Sequence, residues 1–424
     1  MALRYENGAL MMEDVALGTI AQAIGTPVYV YSKASITAAF GAYKAAFSCF
    51  PAAMICYAVK ANTNQAVIGT LADLGAGADV VSEGELRRAL KAHIPTSKIV
   101  YSGVAKRPAE MAFALKAGIF QFNVESEPEL LALSKVASSL GLTANIALRV
   151  NPDVDAKTHA KIATGKAENK FGIPWKRVRD VYAEAARLPG IRIQGIAMHI
   201  GSQLLSLEPY DAAYAKLAEM VTALGHDGIT LDTIDIGGGL GIPYDGGAAP
   251  DVSALAALAY KHLSHFGARL MLEPGRSLVG PCGALLSEVI YVKSGESRDF
   301  LIVDAAMNDL IRPAMYDAYH GIKPLKAEAR ADATYDVVGP VCETGDTFAV
   351  GRTVPELQPA EHIAFTHTGA YGAVMASTYN SRLLVPEVMI DGANFGVIRP
   401  RGSYDELIGT DTPWHNGEAT RKAG

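Results

Sequence analysis

One lysine of the chain, Lys60, stands where a reactive amine would be expected. It follows the apolar run 54–59 and precedes Ala-Asn62. An amine at the end of such a strand would be partly desolvated, which lowers the pKa of a lysine and favours Schiff-base formation with a carbonyl compound. A solvated surface lysine is the alternative interpretation of the same pattern. Which of the two interpretations of Lys60 is right depends on whether other reactive groups lie close to it in the folded protein.

Two later segments could bind an anion and hold a proton. Asp235-Ile-Gly-Gly-Gly-Leu-Gly241 is a glycine cluster whose backbone N–H groups could surround a phosphate, although flexible turns share this composition. Glu273-Pro-Gly-Arg276 combines a carboxylate with a guanidinium, which could also be a surface ion pair. A carboxylate beside a pyridine nitrogen keeps that nitrogen protonated and makes the ring a strong electron acceptor.

Further polar residues could take part in the same chemistry. His199 could stack on a planar cofactor and Ser202 could bind its phosphate, whereas a lone strand-end histidine is usually structural. Cys342 lies beside two carboxylates and could be either reactive or simply packed. The polar segment 304–316 could reach a substrate carboxylate, and Tyr371 lies between glycines. None of these features is diagnostic by itself.

Eight short apolar runs recur between residues 35 and 275, and nearly every one ends in a polar side chain or a glycine turn. Helical segments separate the runs, as in repeated βα units. In a (β/α)8 barrel these strand ends would converge on one mouth, whereas an open doubly wound sheet would spread them along an edge. The polar strand ends favour the barrel. The runs are 54–59, 78–81, 99–102, 120–124, 145–150, 193–200, 231–236 and 269–272.

After residue 278 the sequence changes to short β-rich runs separated by Gly, Pro and charged turns. These runs predict a separate all-β domain, either sandwich-like or barrel-like. The strand-like run 27–31 could pair with it. We therefore predict a barrel domain at 31–277 and a β domain formed by 1–30 with 278–424. The predicted C-terminal strands are 284–293, 299–304, 334–338, 346–350 and 362–366.

The composition limits the classes of partner. Of the 424 residues 19% are charged, the net charge is −6 and there is no dense Lys/Arg stripe, so nucleic acid is not an expected partner. The four cysteines form no CxxC pair, which predicts a reducing compartment and no metal site. Neither a signal peptide nor a membrane-spanning apolar stretch is evident. We therefore predict a cytoplasmic protein.

Seven segments, in this order, resemble the fold-type III enzymes that use pyridoxal 5'-phosphate (PLP), the alanine racemase-like barrel family. The resemblance covers essentially the whole chain and is strongest to the diaminopimelate decarboxylase branch, because of Arg149-Val-Asn-Pro152, the segment 157–165 and Glu343. The seven segments are Tyr57-Ala-Val-Lys-Ala-Asn, Phe122-Asn-Val-Glu-Ser-Glu, His199-Ile-Gly-Ser-Gln, the glycine cluster, Glu273-Pro-Gly-Arg, Cys342-Glu-Thr-Gly-Asp and Gly369-Ala-Tyr-Gly.

The resemblance implies a role for each matching residue. Lys60 would carry PLP as a Schiff base, His199 would stack on the PLP ring and Glu273 would face the pyridine nitrogen. Cys342 would donate the proton after decarboxylation. The other cofactor-binding residues would be Asp79, Ser202, Gly238, Gly239, Gly275, Arg276 and Tyr371. The substrate would be bound by Arg276, Arg312, Tyr316, Glu343 and Tyr371.

By the same resemblance the protein is a homodimer in which Cys342 and Glu343 complete the active site of the neighbouring subunit. The implied reaction converts meso-2,6-diaminopimelate to L-lysine and carbon dioxide, the last step of the diaminopimelate route of lysine biosynthesis. A polyamine-pathway decarboxylase acting on ornithine, arginine or carboxynorspermidine is one alternative, and a non-catalytic PLP-binding homologue is another. An alanine racemase would be expected to have an arginine in place of Glu273.

Overall fold

The computed structural model of the chain describes residues 3–154 and 170–412. The segment 157–165, which carries part of the resemblance to the diaminopimelate branch, lies outside the described residues. At the N-terminus, β1 to β3 form a small antiparallel sheet, and β4 joins a different one. The N-terminal elements are β1 Leu3–Glu6, β2 Ala9–Met12, β3 Val15–Ala16, α1 Leu17–Ile24 and β4 Val28–Ser32.

Eight parallel strands close into a barrel, which confirms the predicted fold and excludes the open sheet. The strands are β5 Met54–Ala58, β6 Gly77–Val80, β7 Ile99–Tyr101, β8 Gln121–Val124, β9 Ala144–Asn151, β11 Ile191–Met198, β12 Thr233–Asp235 and β13 Arg269–Leu272, with the short β10 Ile173–Pro174 beside β9. Pairing of β8 with β9 and of β13 with β5 completes the ring. The strands are largely buried because helices cover their outer faces.

Helices alternate with the barrel strands, and most neighbouring helices contact each other. Ser82 and Ser126 begin two of them by accepting a hydrogen bond from a backbone N–H three residues later. The helices are α2 Lys33–Ala46, α3 Gln65–Asp73, α4 Glu83–Lys91, α5 Pro108–Ala117, α6 Glu127–Leu140, α7 Val178–Ala185, α8 Glu208–His226 and α9 Val252–Leu263.

A second large sheet combines β4 with the C-terminal third of the chain. Its strands are β14 Gly283–Ser294, β15 Asp299–Val303, β16 Ile322–Pro324, β17 Asp332–Val338, β18 Thr347–Pro355, β19 His362–Thr366, β20 Glu387–Asp391 and β21 Asn394–Arg399. β4 lies between β14, to which it is antiparallel, and β20, to which it is parallel. Three short helices accompany this part of the chain: α10 Arg276–Val279, α11 Arg312–Tyr316 and α12 Tyr404–Ile408.

We propose domain boundaries at 31–277 for the barrel and at 1–30 with 278–424 for the β domain, and the pairing of β4 with β14 and β20 supports them. The main hydrophobic core contains barrel residues such as Tyr57 and β-domain residues such as Phe365, so the two parts pack against each other. None of the helices within 3–154 and 170–412 combines the length and the apolar character needed to cross a bilayer.

Candidate active site

The carboxyl ends of the barrel strands bring Lys60 and Glu273 to one mouth. Lys60 lies in the short turn Val59–Ala61 directly after β5, and Glu273 directly follows β13, the strand that pairs with β5. Both residues line a cavity of about 310 Å³, together with Asn123 and His199. The convergence expected from the polar strand ends is therefore observed for these four residues.

Asp79, at the end of the neighbouring β6, holds the amine of Lys60. Lys60 Nζ lies 2.6 Å from Asp79 Oδ2. Burial lowers the pKa of Lys60, but the carboxylates of Asp79 and Glu273 together outweigh it and raise the pKa above its usual value. The expected net lowering of this pKa is therefore wrong for the unmodified lysine: desolvation does lower the pKa, but an anionic partner more than compensates for it.

A buried polar cluster surrounds Glu273. Asn123 Nδ2 donates to Glu273 Oε1 at 3.1 Å and lies 3.4 Å from Asp235 Oδ2. Ser102 Oγ is 3.5 Å from the same oxygen of Glu273. Burial, followed by the negative charges of Asp235 and Asp79, raises the pKa of Glu273 well above its usual value. The Glu273 carboxyl therefore favours its protonated form more than a solvated glutamate does.

His199 follows β11 and stands on another wall of the same cavity. Its Nδ1 accepts a hydrogen bond from the backbone N–H of Gly238 at 3.2 Å, so the proton of the neutral ring is on Nε2. Burial and the positive charges of Arg149 and Lys60 lower the pKa of His199 well below its usual value. The imidazole is therefore a neutral flat surface on which a planar ring could stack.

The glycine turn after β12 packs so tightly that side chains would not fit. A Cβ atom on Gly238 would lie 2.1 Å from the carbonyl oxygen of Glu273, and one on Gly239 would lie 2.2 Å from that of Gly201. Gly239 also has a φ of +103°, which residues with side chains rarely adopt. Close approach of backbone to backbone therefore explains why the turn is made of glycine.

Replacing Gly238 with alanine is expected to reduce PLP affinity at least about tenfold and to destabilise the fold by about 1–3 kcal/mol, because the carbonyl of Glu273 would have to move. Equilibrium dialysis with PLP and thermal unfolding would measure the two effects. Gly69→Ala in α3 is the matched control: outside the adjacent helix backbone no atom lies within 4 Å of its new Cβ, and helix propensity predicts a gain of about 0.5–1 kcal/mol. Similar behaviour of the two variants would contradict the packing argument.

Arg276, at the start of α10, connects three polar groups around a second cavity. Its Nη1 donates to the hydroxyl of Tyr244 at 2.6 Å and its Nη2 to Ser202 Oγ at 3.2 Å. Its guanidinium carbon lies 4.6 Å from the ring centroid of Tyr371. The structure thus brings together Ser202, Arg276 and Tyr371, three of the predicted cofactor-binding residues.

Arg312, in α11, is the second guanidinium of this cavity. Its Nη1 lies 2.7 Å from His320 Nε2, and its guanidinium carbon is 4.2 Å from the ring centroid of Tyr244. The cavity has a volume of about 410 Å³ and shares His199 and Phe171 with the cavity that contains Lys60. The residues predicted to bind cofactor or substrate that line it are His199, Ser202, Arg276, Arg312, Tyr316 and Tyr371.

Cys342 and Glu343 do not join these residues within the single chain. Both lie exposed in the connection between β17 and β18, and neither lines the 310 Å³ cavity or the 410 Å³ cavity. The backbone N–H of Cys342 donates to Asn380 Oδ1 at 2.9 Å, which ties this connection to the segment before β20.

Two residues of the site, Tyr244 and His320, were not identified from the sequence. Tyr244 follows the glycine cluster by three positions, so its proximity to the barrel mouth is a signal that could have been used. His320 has no comparable signal, because its partners Arg312 and Thr366 lie 8 and 46 residues away and reach it only through the fold.

The groups that line the two cavities fit the requirements of PLP. PLP needs an amine for its aldehyde, an acid beside its ring nitrogen, a flat partner for its ring and cationic or N–H donors for its phosphate. Lys60, Glu273, His199 and Arg276 supply groups of these kinds. The Nε of Arg276 is buried and has no hydrogen-bond partner among the described residues, so it is a donor available to an anion.

Comparisons with known proteins agree with this geometry. The family model for the pyridoxal binding domain of pyridoxal-dependent decarboxylases matches residues 33–280. The diaminopimelate decarboxylases of Zymomonas mobilis and Aquifex aeolicus are 48% and 46% identical to the chain, covering 95% and 96% of it and 96% of each relative.

Solved structures give the same result. The diaminopimelate decarboxylase of Helicobacter pylori complexed with L-lysine has a TM-score of 0.90 at 41% identity, covering 93% of this chain and 98% of that one. The M. jannaschii enzyme in co-complex with L-lysine has a TM-score of 0.92 at 35% identity, covering 97% of each chain. The chain therefore belongs to the diaminopimelate decarboxylase family of PLP-dependent decarboxylases.

Proposed function

We propose that the protein decarboxylates meso-2,6-diaminopimelate to L-lysine and carbon dioxide, with PLP as its cofactor. The observation that carries the proposal is the pair of buried guanidiniums, Arg276 and Arg312, beside the cavity of Lys60. Within the described residues, no carboxylate forms an ion pair with either guanidinium. Two anionic groups brought by ligands, the phosphate of PLP and a carboxylate of the substrate, would compensate these charges.

The residues that would hold PLP surround the two cavities. When bound, PLP supplies the electron sink that accepts the electron pair of the broken carbon–carboxylate bond. Lys60 would hold it covalently, and Glu273 would present a proton to its ring nitrogen. His199 would stack on its ring, while Asp79 holds the Lys60 nitrogen in place. The phosphate and its surroundings would be contacted by Ser202, Gly238, Gly239, Gly275, Arg276 and Tyr371.

Arg312 favours a substrate with a carboxylate at its distal end. The side chain is buried, and burial lowers its pKa, so the charge is held in an environment that disfavours it. Diaminopimelate carries a carboxylate at each end, and the one that is not removed could pair with Arg312, assisted by Tyr316. Ornithine has a bare amine at its distal end and would leave Arg312 without an anionic partner.

We propose further that two chains form a homodimer in which Cys342 and Glu343 of each subunit complete the site of the other. The exposure of both residues in the single chain supports this arrangement. So does the rim of the 410 Å³ cavity, where Leu205 and Tyr319 are 55% and 44% exposed. An apolar rim of this kind is typical of a surface that packs against another chain.

In this arrangement Cys342 would donate the proton that replaces the lost carboxylate, and Glu343 would contact the distal amine of the substrate. We also propose that the enzyme acts in the cytoplasm, where all four of its cysteines would stay as the free thiols seen in the structure.

A substrate panel tests the proposed function. Purified holoenzyme would be incubated with meso-diaminopimelate, ornithine, arginine and carboxynorspermidine, and carbon dioxide and the amine product would be measured for each. We expect carbon dioxide from meso-diaminopimelate alone, with L-lysine as the product. Release from ornithine with none from meso-diaminopimelate would instead place the enzyme in the polyamine branch.

A further inference from the structure

We propose that His320 is a positioning residue that aims Arg312 at the distal carboxylate of the substrate without neutralising its charge. The inference rests on the proposed function, in which Arg312 binds that carboxylate. His320 is 1% exposed and does not line the 410 Å³ cavity, whereas Arg312 does. His320 therefore contacts Arg312 on the side away from the cavity and does not contact the substrate directly.

The hydrogen bonds of His320 fix which ring nitrogen carries the proton. Nδ1 lies 2.8 Å from the backbone carbonyl oxygen of Thr366, and a carbonyl oxygen can only accept. Nδ1 must therefore carry the proton. Nε2 is left with a lone pair, which accepts a hydrogen bond from Arg312 Nη1 at 2.7 Å. The backbone of β19 thus determines that the imidazole is an acceptor for Arg312.

A neutral acceptor holds Arg312 without compensating its charge. A second close contact of the guanidinium is with the ring face of Tyr244, whose hydroxyl accepts from Arg276. Both guanidiniums are thus held by neutral groups. A carboxylate at position 320 would make the same hydrogen bond but would form an internal ion pair, which would remove the attraction for a substrate carboxylate. Burial and the charge of Arg312 lower the pKa of His320 to about 3, so the ring is neutral at physiological pH.

The backbone at position 320 is held independently of the imidazole. Arg352 Nη1 donates to the carbonyl oxygen of His320 at 2.8 Å, and the N–H of Thr366 donates to the carbonyl of Gly321 at 2.8 Å. Side-chain replacements at His320 can therefore change the contact with Arg312 while these backbone bonds stay in place.

The experiment separates charge from shape by comparing two variants, His320→Gln and His320→Glu. Glutamine can present a neutral oxygen to Arg312, and glutamate presents a charged one. L-lysine, which keeps one carboxylate, and cadaverine, which has none, would each be titrated against the holoenzymes while the absorbance of bound PLP is followed. His226→Glu, which adds the same charge at the exposed end of α8, is the matched control.

We expect wild type, His226→Glu and His320→Gln to bind L-lysine more tightly than cadaverine, with ratios within about threefold of one another. His320→Glu should reduce that preference at least about tenfold and raise KM for meso-diaminopimelate, with the visible spectrum of bound PLP unchanged. An unchanged preference in His320→Glu, an equal loss in both His320 variants or an equal weakening of both ligands would overturn the inference. If wild type shows no preference for L-lysine, it is the proposed function that fails.

Discussion

Replacing Lys60 with alanine is expected to abolish carbon dioxide release, with a loss in kcat of at least about 10³-fold. In the proposed site Lys60 is the only covalent attachment of PLP and also a group that moves protons on and off the reacting centre. Its loss leaves Asp79, a carboxylate with no exposed side-chain surface, without its cation. The visible absorbance band of the lysine-bound cofactor should disappear as well.

Two control variants test whether the enzyme needs the amine of Lys60 itself or only its positive charge. Lys60→Arg keeps a cation facing Asp79, but a guanidinium does not form the Schiff base, so this variant should be equally inactive. Lys261→Ala removes a lysine that is 60% exposed and should retain full activity. Borohydride reduction followed by peptide mass spectrometry should find PLP on the peptide that contains Lys60. Turnover in either Lys60 variant would refute the assignment.

The barrel and much of its mouth could be predicted from the sequence because the information is local. Each strand is a short apolar run, and polar residues follow several of these runs where the chain reaches the mouth. Lys60, Glu273 and His199 were found in this way, one strand end at a time. Among the C-terminal strands, β16, β20 and β21 were missed. The place of β20 in the sheet depends on β4, more than 350 residues earlier in the chain, and β21 pairs with β20.

The electrostatics of the site could not be predicted in the same way. The pKa of Lys60 is raised because the fold places Asp79 against its amine, although desolvation alone would lower it. Nothing in the sequence distinguishes His320 from an ordinary histidine. Only its contact with the carbonyl of Thr366 makes it an acceptor for Arg312. The pKa of Lys60 and the position of the proton on His320 both depend on contacts between residues distant in sequence, so only the structure reveals them.

Replacing Cys342 with alanine is expected to lower kcat for meso-diaminopimelate by about 10²–10⁴-fold, the usual contribution of a positioned proton donor. The side chain is exposed in the single chain, and its backbone N–H keeps its bond to Asn380 in the variant, so the fold and PLP binding should not change. Absorbance of bound PLP and thermal unfolding would check this. An unchanged kcat would show that the thiol has no chemical role.

Mixing the two inactive variants distinguishes a shared active site from one contained in a single chain. In a heterodimer of Lys60→Ala with Cys342→Ala, one site would combine Lys60 from one subunit with Cys342 from the other, and the second site would have neither. Random pairing of equal amounts makes half of the dimers mixed, each with one of its two sites intact, so about one quarter of wild-type activity should return. If each chain contained its own complete site, no combination of the two variants could restore activity, because every chain would lack either Lys60 or Cys342.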